Sequence, residues 1–375
     1  MANSTPAPLQ QILNSPWALV PLRFLRRTVP GLSGAMPPNF PLEATLGLAP
    51  VLLYLAGLVY MDSFKLVRFR TIFGMLLMGA FAALLSYFIS GFVIDGLHLD
   101  FSTYSKFYAP FVEEGLKALF IIWLFSRNRI GFMVDAAILG LAVGAGFSVL
   151  ENIYYAYIFP EASVGIWIIR GFGTALMHAG VTAVFAISAQ TLRERHAHMG
   201  IWGFIPGFLA AAAIHSIFNQ FIDYPAYSAA ATIIALPLAL LFLFDKSEHK
   251  VHDWLIHDYE SHEHLLEDIR NGNFEHSEAG RFITTLAARF SKKVVTDIFT
   301  YIKLHTELVL RAEKLLLAKE QGKPAEPAKP AHESFRQLHA LEKRIGRAAM
   351  LLVWPHLKFS RQELWELHQL EVQKA

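Results

Sequence analysis

Seven apolar stretches, each about 20 residues long, determine what this chain can fold into. They lie at about 43–61, 71–94, 105–126, 131–159, 165–191, 200–222 and 226–244. A helix needs roughly 20 mostly apolar residues to cross the hydrocarbon core of a bilayer. Of the 375 residues, 54% are hydrophobic and 17% are charged, against roughly 25% charged in soluble domains. The sequence therefore predicts an all-α, polytopic membrane helix bundle of about seven transmembrane helices in a lipid bilayer.

Charge divides the chain into three predicted parts. Residues 1–42 are rich in proline and carry several arginines, so they form either an interfacial helix or an unstructured tail. Residues 43–245 are the transmembrane domain. Residues 246–375 hold most of the charged residues and are predicted to be a soluble helical region, with a proline-rich linker at 322–331.

Basic residues indicate the orientation of the bundle. They occur in the loops after the first, third and fifth stretches, namely Lys65, Arg68, Arg70, Arg127, Arg129, Arg193 and Arg195. The other connections carry no lysine or arginine, although three arginines of the N-terminal tail oppose the pattern. The positive-inside rule places the C-terminal region in the cytoplasm.

Ionisable side chains inside the apolar stretches are the strongest indication of function, because a charge near the bilayer centre costs at least about 3 kcal/mol. The third stretch holds Glu113, Glu114 and Lys117; the fourth holds Glu151, the fifth His178, and the sixth His215 with Asn219. Phe147 and Arg170 lie on similar helix faces to Glu151 and His178. At about 1.5 Å per residue, these groups lie at similar depth in the outer half of the membrane. The sequence predicts that they meet in one polar layer.

Such a set suits hydrolysis in two ways. In the first, Glu151, His178 and His215 hold Zn²⁺ and leave one position for water. Glu113 or Glu114 is then the general base, and the other carboxylate lies in a second layer around the ion or is restrained by Lys117, which is four residues from Glu113 and can pair with it. In the second, the glutamate pair activates water without a metal, and His215 and Asn219 donate hydrogen bonds to the oxyanion.

Other functions are compatible with the same residues. Buried Glu, His and Lys also form proton relays, so an ion- or proton-coupled transporter is the main alternative. A non-enzymatic binding protein is a third hypothesis, with the C-terminal helices contacting a partner. A net charge of +2 gives no indication of nucleic acid binding.

Histidines are frequent just after the last apolar stretch, at His249, His252, His257, His262, His264 and His276. Their irregular spacing does not keep them on one helical face, and their neighbours are acidic. We therefore expect a solvated surface here and not a metal site.

Four short motifs, in this order, resemble those of the PrsW family of intramembrane proteases, which is related to the CAAX prenyl endopeptidases. They are EEGLK at 113–117, FSVLE at 147–151, RGFGTALMH at 170–178 and HSIFN at 215–219. The resemblance implies cleavage of a membrane-anchored protein, for example an anti-sigma-like regulator, in a bacterial cytoplasmic membrane. It implies no role for residues 246–375.

The same resemblance implies a role for each motif residue. Glu113 takes the position of the catalytic glutamate and Glu114 that of its partner. Glu151 stands where the CAAX relatives have histidine, which leaves zinc and glutamate-activated water both open. His178 matches the third motif, and His215 with Asn219 the last.

Overall fold

The computed structural model describes residues 39–62, 67–159, 162–195, 197–221, 224–287, 290–321, 323, 331–346, 349–350 and 353. The interfacial helix predicted within 1–42 and most of the linker at 322–331 lie outside these ranges. Every regular element in the described residues is helical, and they contain no strand. The predicted all-α class is therefore confirmed.

Ten helices carry the fold in the part of the chain that the structure describes. They are α1 (Phe40–Met61), α2 (Phe69–Leu97), α3 (Ala109–Ser126), α4 (Met133–Ile158), α5 (Leu176–Arg195), α6 (Ile205–Gln220), α7 (Pro225–Asn271), α8 (Glu278–Ala287), α9 (Lys292–Glu320) and α10 (Ala331–Ile345). A π-helical turn precedes α3, at Tyr104–Tyr108, and another precedes α5, at Arg170–Ala175. Shorter helical pieces are Phe101–Thr103, Val164–Ile169, Ala197–Phe204 and Phe274–His276.

Six helical segments among the described residues are long and apolar enough to cross a membrane. They are α1, α2, Met133–Tyr157, Val164–Glu194, Met199–Gln220 and Pro225–Phe242. The remaining predicted span corresponds to α3, whose three charged residues make it too polar for that criterion. The protein is thus an integral membrane helix bundle.

Backbone contacts place α4 between α2 and α5. A Cβ added at Gly146 of α4 would lie 1.9 Å from the carbonyl oxygen of Leu76. One added at Gly144 would lie 2.3 Å from the carbonyl oxygen of His178. Only glycine allows main chains to approach so closely. The glycines therefore fix α4, which carries Glu151, directly against α5, which carries His178.

The chain divides into two compact units. The first comprises the described residues up to Met61, together with Val67–Trp123 and Met133–Leu243. The second comprises Asp62, Leu124–Phe132 and the described residues from Phe244 onward. The core of the second unit is formed by the apolar faces of α9 and α10, with Ile298, Tyr301, Val309, Leu338 and Leu341 buried.

Candidate active site

Ionisable side chains from four helices converge in the first unit. Glu113, Glu114 and Lys117 lie on α3, Glu151 on α4, His178 at the start of α5, and His215 on α6. All except Glu113 and Glu151 are almost fully buried. The side chain of Glu113 is 16% exposed, so it lies at the accessible edge of the group.

A buried salt bridge forms the centre of the site. Lys117 Nζ donates a hydrogen bond to Glu114 Oε1 at 2.8 Å and a second one to His178 Nδ1 at 2.9 Å. The pairing of Lys117 with Glu113, which their spacing of four allows, is not the one that forms; the lysine pairs with Glu114. Residues three and four apart on a helix both share a face, and the buried lysine contacts the carboxylate that is buried with it.

Glu114 also positions the histidine of α6. His215 Nδ1–H donates a hydrogen bond to Glu114 Oε1 at 2.9 Å. Thr182 Oγ1 lies 3.4 Å from Glu114 Oε2, but its hydroxyl has a closer acceptor in the carbonyl oxygen of His178, at 2.9 Å. Glu114 therefore accepts hydrogen bonds from Lys117 and His215, as a buried charge requires. Our sequence analysis missed Thr182, although it lies one helical turn after His178.

These hydrogen bonds fix the protons on both imidazole rings. Because His215 donates through Nδ1, the Nε2 of the neutral ring carries a lone pair, and it lies 4.0 Å from Glu113 Oε2. His215 Nε2 and Glu113 Oε2 are therefore two hydrogen-bond acceptors that face each other, and they need a proton, a water molecule or a cation between them. His178 accepts through Nδ1, so its Nε2 carries the proton, 3.3 Å from Glu151 Oε2.

Arg170 holds Glu151 at the side of the site. Arg170 Nη2 lies 3.3 Å from Glu151 Oε2, and its Nε donates a hydrogen bond to Asn152 Oδ1 at 2.8 Å. The guanidinium lies over the ring of Tyr155, 4.0 Å from its centroid. Arg170 is the first residue of the π-helical turn before α5, a local geometry that is frequent at functional sites.

Phe147, the predicted supporting residue of α4, lies beneath the buried cation. Lys117 Nζ is 4.0 Å from the centroid of its ring, and the ring of His178 is 5.0 Å away. A cation over an aromatic face is stabilised by about 2 kcal/mol or more when desolvated. Phe147 therefore contributes packing and electrostatic stabilisation to the Lys117–His178 contact.

Asn219 lies outside the group of ionisable residues. Its Nδ2 donates a hydrogen bond to the carbonyl oxygen of Ser105 at 2.8 Å, and Ser216 Oγ donates one to the carbonyl oxygen of Lys106 at 2.6 Å. Both carbonyls belong to the π-helical turn before α3. The amide of Asn219 thus connects α6 to this turn. The metal-free scheme expected this amide to donate a hydrogen bond to the oxyanion, and the structure does not place it there.

The carboxylate that the structure groups with the two histidines is Glu113. Glu113, His178 and His215 each offer a ligand atom, and these atoms lie within 4.8 Å of one another. Glu151, the expected third ligand, is not in this group and is paired with Arg170. The positions of Glu113 and Glu151 in the sequence would allow either carboxylate to join the two histidines. The rotation of α3 and α4 about their axes decides which one does.

The residues fit a divalent cation in number and in type. Two imidazoles and one carboxylate are a ligand set that Zn²⁺ uses in hydrolases. The bond from His215 Nδ1 to Glu114 directs Nε2 into the site, as metal-ligating histidines require. Counting Arg170, the site holds two cationic side chains and three carboxylates, so one negative charge is left for a proton or a metal cation to neutralise. The cationic residues are Lys117 and Arg170, and the carboxylates are Glu113, Glu114 and Glu151.

One comparison with known proteins identifies a family. Residues 64–244 match the model of the PrsW family intramembrane metalloproteases, and this segment contains all the ionisable residues of the site. Neither the curated proteins nor the solved structures include a match to the chain. The match agrees with the resemblance of the four motifs, and the membrane segment 64–244 belongs to the PrsW family of intramembrane proteases.

Proposed function

We propose that this protein is an intramembrane endopeptidase in which Glu113 acts on the hydrolytic water. The family indicates intramembrane proteolysis. The observation that carries the assignment to Glu113 is its position opposite His215 Nε2, with 4.0 Å between two hydrogen-bond acceptors. A water molecule there can donate one hydrogen to each of them.

Each proton and electron pair has a place in this scheme. Glu113 takes a proton from the water as its oxygen bonds to the carbonyl carbon of the scissile peptide, and the carbonyl electrons move to the oxygen. In this scheme the Nε2–H of His178, which lies 3.3 Å from Glu151 Oε2 in the free site, donates to that oxyanion. When the tetrahedral intermediate collapses, the C–N bond breaks and Glu113 returns the proton to the leaving amine.

Lys117 and Glu114 prepare the two histidines for these roles. The ammonium group at His178 Nδ1 withdraws electron density from the ring, which makes its Nε2–H a stronger donor. Glu114 holds His215 in the tautomer whose Nε2 accepts from the water. These two residues are buried and do not touch the substrate in this scheme.

A metal-dependent form is the alternative within this proposal, because a Glu113 carboxylate bound to the ion could not also be the general base. Glu113, His178 and His215 would hold Zn²⁺, and the bound ion would lower the pKa of its water to about 7 and polarise the scissile carbonyl. In that form Glu151, next to His178, is the carboxylate that remains free of the ion. Coordination through His178 Nε2 requires the His178–Lys117 pair to lose one proton, so metal binding releases a proton.

The substrate class follows from the location of the site. Since the site lies within the membrane-spanning unit, we propose a membrane-anchored protein as the substrate, such as the anti-sigma-like regulator that the motif resemblance implies. The motif resemblance implies a bacterial cytoplasmic membrane, and the basic loops support an orientation in which residues 246–375 face the cytoplasm.

The test is product analysis in proteoliposomes. The full chain is incubated with a membrane-protein fraction, and new N-termini are identified by mass spectrometry. We expect cleavage products with the wild type, none with Glu113→Gln or His215→Gln, and wild-type amounts with Asp95→Asn, an exposed carboxylate near the end of α2. Products that persist in both site variants would overturn the proposal. Proton flux without any peptide product would instead support the transporter hypothesis.

A further inference from the structure

A second group of metal-capable side chains lies in the second unit. Asp258 and His262 are on α7, and Glu313 is on α9. Each offers a ligand atom, and these atoms lie within 4.8 Å of one another. We propose that Asp258, His262 and Glu313 bind a divalent transition-metal cation, best matched by Zn²⁺, independently of the site in the membrane-spanning unit.

The contact between His262 and Glu313 is the first support for this site. His262 Nδ1 lies 2.8 Å from Glu313 Oε1. The two residues are 51 positions apart in the chain and belong to different helices. The side chain of His262 is 15% exposed, whereas that of Glu313 is completely buried. The group is therefore shielded by protein on one side and open to solvent on the other.

The second oxygen of Glu313 is the independent observation. Glu313 Oε2 is buried and has no hydrogen-bond partner. A buried carboxylate oxygen without a donor is costly. Asp258, one helical turn before His262, brings a second carboxylate to this place and not a donor. A cation satisfies both carboxylates at once.

The donor types select the class of cation. Ca²⁺ and Mg²⁺ prefer oxygen ligands alone, whereas imidazole together with carboxylate suits Zn²⁺ and related transition metals. The chain has no cysteine, so thiolate sites are excluded. Three protein ligands leave at least one position for water. The bound ion would connect α7 to α9.

The expectation of a solvated histidine surface is wrong for His262. Its helix neighbour His264 fits that expectation, since its side chain is 80% exposed. The difference lies in Glu313, a partner so distant in sequence that spacing along α7 alone cannot reveal it.

Zinc binding by the full-length protein tests the proposal. All samples carry Glu113→Gln and His215→Gln, so that any bound zinc reports on the second unit and not on the proposed protease site. The protein is purified in detergent, stripped with a chelator, and dialysed against Zn²⁺. We expect about one zinc ion per chain by elemental mass spectrometry. Co²⁺ in its place should give the absorption bands of a low-symmetry site.

Matched variants decide the outcome. His262→Ala and Asp258→Asn should each weaken Zn²⁺ binding by at least about tenfold, and Glu313→Gln should do the same. His264→Ala is the control on the same helix and should bind zinc normally. The proposal is overturned if the Glu113→Gln/His215→Gln protein binds no zinc, or if His262→Ala and Asp258→Asn retain its zinc affinity. Neither result bears on peptide cleavage by the membrane site.

Discussion

Lys117 forms its salt bridge with Glu114, three residues earlier on α3, at a distance of 2.8 Å between Nζ and Oε1. Both side chains are buried, and Glu114 is further held by His215. Among the described residues, Glu113 forms no salt bridge with a lysine or an arginine. The two adjacent glutamates are thus divided between two tasks: Glu114 balances charge and orients a histidine, while Glu113 is left for chemistry.

This division predicts opposite consequences for two isosteric substitutions. Glu113→Gln should lower cleavage by about 10²–10⁴-fold, as expected for loss of a general base, with little change in thermal stability. Glu114→Gln should destabilise the protein by about 3–5 kcal/mol, because it leaves the buried ammonium of Lys117 without its counterion. Thermal unfolding in detergent, alongside the cleavage assay, measures both. A Glu114→Gln protein as stable as the wild type would refute the assigned roles.

The same salt bridge predicts a rescue. Lys117→Met alone leaves Glu114 as an uncompensated buried carboxylate and should be destabilising. Combining it with Glu114→Gln removes both charges, so the double variant should be more stable than either single variant. The double-mutant cycle is measured by thermal unfolding. Additive effects of the two substitutions would show that the ion pair contributes no coupling energy.

Metal removal tests the ligand set. If Glu113, His178 and His215 hold the ion, a chelator should abolish cleavage by the wild type and Zn²⁺ should restore it. Zn²⁺ should not restore cleavage by His178→Gln or His215→Gln, which each lack one ligand. The fraction of Glu114→Gln protein that remains folded should need about 10–100-fold more Zn²⁺ to recover cleavage, because Glu114 orients the ligand His215. Cleavage that is indifferent to the chelator would retain Glu113 as the base and eliminate the metal from the mechanism.

Glycine substitutions in α4 test the close packing. Gly146→Ala should destabilise the protein by about 1–3 kcal/mol or more, because the new Cβ would overlap the carbonyl oxygen of Leu76. Gly57→Ala in α1 is the control, since a Cβ there meets nothing within 4 Å. Its stability should be unchanged or slightly increased. Equal thermal stabilities of the two variants would contradict the described contact between α2 and α4.

His305 predicts a pH dependence in the second unit. Burial, with the nearby His262 as a smaller cause, lowers the pKa of His305 from 6.5 to about 3. Between these values the unfolded chain binds a proton that the folded chain does not. Stability should therefore be complete above about pH 6.5 and fall as the pH is lowered, by up to about 1.4 kcal/mol per unit.

Hydrogen exchange of amides in α9, with a chelator present, measures this effect between pH 7 and pH 5. His305→Gln should reduce the slope of stability against pH by one proton. His264→Gln, which alters an exposed histidine, should leave the slope unchanged. Identical slopes in wild type and His305→Gln would rule out His305 as the cause.

Much of the architecture was predictable because hydrophobic length alone identifies membrane helices. The polar layer was predictable for a related reason, since Glu113, Glu151 and His178 stand out against apolar neighbours. The choice of partners was not. Spacings of three and four are equivalent on a helix, so Lys117 could have paired with either glutamate.

Two further differences have the same origin. Helix rotation decides whether Glu113 or Glu151 joins the two histidines. That rotation depends on packing between helices and cannot be predicted from the local sequence. Asn219 was predicted to donate to an oxyanion, but its amide is used by a carbonyl of the π-helical turn Tyr104–Tyr108. That turn has no recognisable signature in the sequence.

The glycine contacts of α4 limit how a protein can be cut here. Main chains that already touch at Gly144 and Gly146 leave no width for another polypeptide, so a scissile segment cannot slip between α4 and α5 or between α4 and α2. The contact between α3 and α6 is of another kind, since a Cβ added at Gly115 of α3 would meet only the ring of Phe208, 3.9 Å away. Bulky residues introduced on those two helices, and not on α2, are the ones that should obstruct a substrate.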